Sequence, residues 1–148
     1  MAETERSARF ALPLLAMAQA QKEVTHNEAL VVLDALIHPV IVALDETAPP
    51  PGAVPGEAWA VAGGATGDWA GSDGKLAFMT TGGWRFADPV AGMQAWCAGS
   101  RIVYRDGGWI AAPAYAAPSG GGVIDSEART ALSTIAQALA MSGIIVEE

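Results

Sequence analysis

Phe78-Met-Thr-Thr-Gly-Gly-Trp-Arg-Phe-Ala-Asp-Pro89 and Val103-Tyr-Arg-Asp-Gly-Gly-Trp-Ile-Ala-Ala-Pro113 are one device written twice, with an offset of 25 residues from Gly82 to Gly107. In each, a Gly-Gly pair separates two short runs, and Trp84 or Trp109 opens the second run. Glycine adopts positive φ without steric penalty, which is what a tight hairpin turn demands. Each copy therefore predicts a β-hairpin. Working outward, short apolar runs bounded by turn residues predict strands at Ala58–Ala62, Lys75–Met79, Trp84–Ala87, Met93–Ala98, Arg101–Tyr104 and Trp109–Ala111. About six such strands read as an antiparallel meander or a small barrel. Two copies of the echo are too few for a propeller or a solenoid.

Helical patterns flank this β-rich centre. Thr25-x-x-Glu28 has the form of a capping box, which predicts a helix starting at His26. Ala29, Leu30, Leu33, Leu36 and Ile37 fall at helical spacing and predict a buried stripe, with Asp34 off it. His38-Pro39 ends the helix, because proline disfavours helical geometry in the residue before it. Val40–Leu44 then reads as a strand, and Asp45–Gly56, with consecutive prolines at 49, 50 and 51, as a stiff connector. Near the other end, Ser126–Met141 is strongly helical, with Asp125 or Ser126 as its cap and Gly143 as its stop. Ala128, Leu132, Ile135 and Leu139 step by four, three and four residues, a coiled-coil seam too short to stand alone. The reading is an α+β fold: a tail over 1–12, a helix plus β-rich core over 13–112, a Gly/Pro/Ala linker over 113–122 and a C-terminal helical segment over 123–148.

Composition excludes several roles. The 148 residues are enough to bury a core without disulfides or metals. Cys97 is the single cysteine, sits in the apolar run Met93–Ala98 and reads as a buried, inert thiol. A net charge of −8, with only eight basic residues scattered along the chain, argues against a nucleic-acid footprint, which needs clustered Lys and Arg. The apolar runs are far shorter than the roughly 20 residues of a spanning helix, and the acidic start lacks the basic region of a signal peptide. A soluble, unsecreted protein without membrane insertion is expected.

Catalysis finds little support. His26 and His38 lack a paired nucleophile or an H-E-x-x-H spacing, and an N-terminal helix position disfavours a protonated His26. Asp68, Asp73, Asp88 and Asp106 adjoin glycines or turns, and the Asp68–Asp73 loop lacks the ligand density of a calcium loop, so no metal is expected. Gly63-Gly64-Ala-Thr-Gly67 follows a strand but ends without the Gly-Lys-Ser/Thr of a phosphate loop, and no cofactor is implied. The aromatic residues are the one binding feature. Trp59, Trp84 and Trp96 read as strand residues filling a core, whereas Trp69, in a polar glycine loop, reads as exposed. Trp69, Trp109 and Tyr104 are accordingly candidate contacts for a sugar or a protein partner. Leu132, Ile135 and Leu139 are candidates for self-association.

One stretch is too particular for generic packing: Leu12-Pro-Leu-Leu-Ala-Met-Ala-Gln-Ala-Gln-Lys-Glu-Val-Thr-His-Asn-Glu-Ala-Leu30. Its polar knot of Gln19, Gln21, Lys22, Glu23, Thr25, His26, Asn27 and Glu28 is a candidate structural motif or interface. With Gly56-Glu-Ala-Trp59 and Gly83-Trp-Arg-Phe86, this string resembles a family of small proteins encoded in prophages and alphaproteobacterial gene transfer agents. The resemblance runs from Phe10 to Trp109 and departs at Met17-Ala18, where glycine is usual before Gln19. It implies a structural, non-enzymatic part of a virus-like particle, assembled in the cytoplasm. Such a part would be the base of a head spike, as a pentamer at a capsid vertex, or a tail-fibre element, as a trimer, with capsid and spike-fibre proteins as partners. The competing expectation is a carbohydrate-binding module contacting host capsular polysaccharide. The Tyr104-to-Trp109 pattern is similar, over that short stretch, to small chitin-binding modules.

Overall fold

Lys22-Glu23 are good helix formers, and the first helix propagates through them: α1 spans Lys22–Leu36, four residues longer at its start than the capping box predicts. Thr25 and Glu28 lie inside it, so they form no cap. The computed structural model describes residues 5–15, 22–123 and 125–147 and has α+β architecture. Gln19 and Gln21 lie outside the described residues.

After Pro39 the chain enters β1 (Val40–Ile41), then β2 (Ala58–Ala60), β3 (Leu76–Thr80), β4 (Gly83–Ala87), β5 (Gln94–Cys97), β6 (Ser100–Arg105) and β7 (Gly108–Ala111). These seven strands form one open sheet in the order β4-β3-β2-β1-β5-β6-β7. Both predicted hairpins are present, as β3–β4 and β6–β7. The expected antiparallel character of the sheet is present, and one strand departs from it. β1 lies between two antiparallel three-stranded meanders and runs parallel to the inner strand of each, Ile41 facing Ala58 on one side and Cys97 on the other. The cause is non-local: the connector from Asp45 to Gly56 carries the chain away from β1 before β2 returns beside it.

Strand alternation builds two cores. Ile41, Ala60, Leu76, Ala95 and Ile102 share one face, with Leu36 of α1 and Trp109 packed against them. Trp59, Val61, Ala77 and Trp69 make the other, joined by Trp84 and Phe86.

The second helix is as the sequence predicts. α2 spans Ser126–Met141, Asp125 accepts from the Ala128 N–H as its cap, and Gly143 stops it at φ 65°. Ala114–Tyr115, within the expected linker, form β8 and pair in parallel with β9 (Val146–Glu147), which ties the end of α2 back to the exit of β7.

Candidate functional site

Among the described side chains of the polar knot, two reach partners elsewhere in the chain. Asn27 acts as a strand in miniature: its Oδ1 accepts from the Leu15 N–H at 2.8 Å and its Nδ2 donates to the Leu15 carbonyl at 3.0 Å. Glu28 makes an ion pair with Arg85 on β4 at 3.5 Å, so α1 is fastened to one edge of the sheet. Thr25 and His26 are exposed on the helix surface, and Glu23 holds a buried Oε2 with no hydrogen-bond partner among the described residues.

The strongest network is one that the helical spacing places wrongly. Asp34 is 3% exposed rather than off the buried face, whereas Leu33 and Ile37, expected in the stripe, are 51% and 43% exposed. The reason is the N-terminal segment, which folds over this side of α1 and offers polar groups. Asp34 accepts from Ser7 Oγ at 2.7 Å and from the backbone N–H groups of Arg9 and Phe10 at 2.8 Å each. Arg9 in turn caps the helix: its guanidinium donates to the carbonyls of Asp34, Ala35, Ile37 and His38 at 2.7–3.1 Å. Those carbonyls have no onward helical partner, and a cation there also complements the helix dipole. Gly56 fits closely beneath, since a Cβ there would lie 3.2 Å from Arg9 Cγ. Ser7 and Arg9 carry no sequence signal of this role beyond being a hydroxyl and a cation near the start of the chain.

The aromatic candidates separate. Trp69, expected to be exposed, has no exposed surface. Gly67–Trp69 form a 3-10 turn that drops the indole between Trp59 and Trp84, at centroid distances of 6.3 and 5.1 Å. Its loop is closed by Asp73, which accepts from the N–H groups of Gly64 and Ala65, bonds that hold its carboxyl below the ordinary aspartate range. Glycine content reports the turn and says nothing of which way the ring points. Trp84 joins this cluster, while Trp96, expected in the core, is 37% exposed. Tyr104 and Trp109 face each other across β6 and β7 in an edge-on pair at 5.3 Å, with Trp109 packed on the inner core. Cys97 is half-buried, and burial pushes its thiol up.

α2 presents the remaining candidates together. Leu132 is 48% and Ile135 56% exposed, Leu139 is half-buried, and Ala136 is the helix's buried residue. Among the described residues no three His, Cys, Asp or Glu side chains are grouped to hold a metal, and no helix is long and apolar enough to cross a membrane.

The chain belongs to the DUF2793 family, described as protein of unknown function, whose model matches residues 26–110. The match runs from within α1 into β7, and so takes in the seven-stranded sheet except Ala111, the last residue of β7, and leaves out α2. No curated protein matches the chain.

Proposed function

We propose that this protein is a non-enzymatic structural adaptor of a phage-like particle of the gene-transfer-agent kind. In this reading it sits at the base of a head spike, joins the capsid to a receptor-binding fibre, and acts as a ring or bundle of copies. The observation that carries the reading is α2: a 16-residue helix whose seam residues Leu132 and Ile135 face solvent. An isolated helix of this length is marginal in water, so its apolar seam calls for a partner surface. Leucine at one seam position and isoleucine at the next favours more than two strands. The QAQKEVTHNEAL string of the resembling particle proteins supports the same reading. In this chain its Asn27 and Glu28 fasten α1 to neighbouring segments, an architectural task. The polysaccharide-contacting alternative keeps only Tyr104 and Trp109 of its three rings.

Purified particles probed with antibody against this chain, followed by electron microscopy, test the proposal. Label at the head vertices, with five copies per spike, is the expected result. Label along the tail with three copies would move the protein to a fibre. Particles that contain no copy of the chain would end the reading.

A further inference from the structure

The chain has eight basic residues; the side chain of Lys22 lies outside those described, and five of the other seven are partnered within the described residues. Arg6 donates to the Ala11 carbonyl, Arg9 to the end of α1, and Arg129 to the Pro118 and Gly120 carbonyls. Lys75 pairs with Asp88 and Arg85 with Glu28. Neither Arg101 nor Arg105 has a carboxylate or backbone carbonyl partner among the described residues, and Arg101 makes only a long hydrogen bond, 3.4 Å, to the Gln94 side-chain oxygen. In a protein of net charge −8, these two line one cavity of about 180 Å³, together with Val103, Ile110, Pro113 and Ile144.

That cavity adjoins an open sheet edge. β7 is the outermost strand on its side, and no described strand pairs with its outer edge. Sheets normally guard such edges with charge. The opposite edge follows the rule, because β4 carries Arg85, ion-paired to α1. β7 reads Gly-Trp-Ile-Ala, holds no charged residue, and leaves Ile110 38% exposed.

We propose that the outer edge of β7 and the Arg101–Arg105 cavity form one docking site for an extended acidic segment of a partner protein. The segment adds a strand to the sheet through its backbone, and its side chains are read by the cavity. Arg101, Val103 and Arg105 alternate along one face of β6, so the two cations stand about 13 Å apart with an apolar residue between them. An extended segment with acid, apolar and acid side chains at every second position has the same repeat. A strand added to β7 lies about 10 Å from β6, a gap that an arginine and a glutamate bridge between them. A second copy of β7 fits less well, since it brings arginines toward arginines and no acid.

The test uses the full chain and fluorescein-labelled peptides, read by anisotropy. One peptide alternates Glu-Thr-Val-Thr-Glu, a second replaces Glu by Lys, and a third keeps the acids but places Pro at the centre. The first should bind, weakening with salt, and the other two should bind at least about tenfold more weakly. Arg101→Gln with Arg105→Gln should remove that preference while leaving the urea midpoint of the fold unchanged. Failure of the acidic peptide to bind, equal binding of the lysine peptide, or undiminished binding of the proline peptide each overturns the proposal. So does loss of the site as the protein is concentrated, which would assign the edge to a second copy. The titration needs only the isolated protein, and its result is independent of where in a particle the chain sits.

Discussion

A single carboxylate, Asp34, organises the join between the N-terminal segment and α1, and its energetic weight follows from what it satisfies. Three donors converge on it, and a buried donor left unpaired costs roughly 1–3 kcal/mol. Asp34→Ala should therefore destabilise by about 3 kcal/mol or more, seen in urea unfolding, and should free residues 5–14 to rapid amide exchange. Unaltered stability would mean that the segment holds without it. Gly143 is constrained twice: its φ of 65° suits glycine, and a Cβ would lie 2.8 Å from the Trp96 ring. Gly143→Ala should cost on the order of 1–3 kcal/mol by thermal melting. Asp73 adds a pH dependence. Its carboxyl is lowered in the folded state by the Gly64 and Ala65 N–H groups, so its contribution is present above the unfolded aspartate value and is lost as pH falls through the lower folded one. The stability difference between the native chain and Asp73→Asn should accordingly shrink on going from pH 6 to pH 3. A constant difference would mean the loop closure is not ionic. Neither Asp34 nor Asp73 announces its role in the sequence, and Gly143 announces its helix stop but not its contact with Trp96, because each of these depends on groups brought from elsewhere in the chain.

Elements whose cause is local are the ones legible from sequence. The two hairpins are an example, although the repeated Gly-Gly is used differently in each. In β6–β7 the turn residues Asp106 and Gly107 both take positive φ, 54° and 81°, as a two-residue hairpin loop of the primed kind requires. In β3–β4 the second glycine, Gly83, takes positive φ at 93°, while Thr81 does not. A β-branched threonine resists the left-handed region that aspartate tolerates, so the same written motif yields a shifted turn. Helix α2 was equally plain, from its Asp125 cap to its Gly143 stop. By contrast, the burial of Trp69 and the side of α1 that faces inward were hidden, since loop packing and a wrapping N-terminal segment decide them. The α2 seam gives a test at this scale. Leu132→Glu with Ile135→Glu should convert an assembled protein to a monomer in light scattering, and should leave tryptophan fluorescence unchanged because the tryptophan cluster lies elsewhere. If the native chain stays monomeric at high concentration, the seam serves a different partner.

Across the whole molecule, the sequence echo proves to be a topological one. β2-β3-β4 and β5-β6-β7 are two meanders of the same connectivity, set on opposite sides of β1. The sheet's continuity thus passes through a two-residue strand, and Ile41, 1% exposed, is its central side chain. Backbone bonds from Val42 to Ala58 and from Trp96 to Pro39, at 2.8 and 2.9 Å, continue the junction on either side. Each meander carries its own aromatic contacts, the Trp59–Trp69–Trp84 cluster in one and the Tyr104–Trp109 pair in the other. A short parallel hub between two halves, whose shared core gathers on Ile41 from Ala60 and Leu76 on one side and Ala95 and Ile102 on the other, makes the hub the weak point of cooperativity. Truncating a buried isoleucine to alanine costs roughly 2–5 kcal/mol. Here that loss falls on the shared junction rather than within either half. Ile41→Ala should therefore do more than lower the urea midpoint. It should separate the unfolding of the tryptophan cluster, followed by fluorescence, from that of β5–β7, followed by amide exchange. Ile102→Ala, a loss of the same size placed inside one meander, is the control and should lower the midpoint with both probes still coincident. Coincident transitions in Ile41→Ala as well would show that the rest of the shared core, and not β1, holds the halves together.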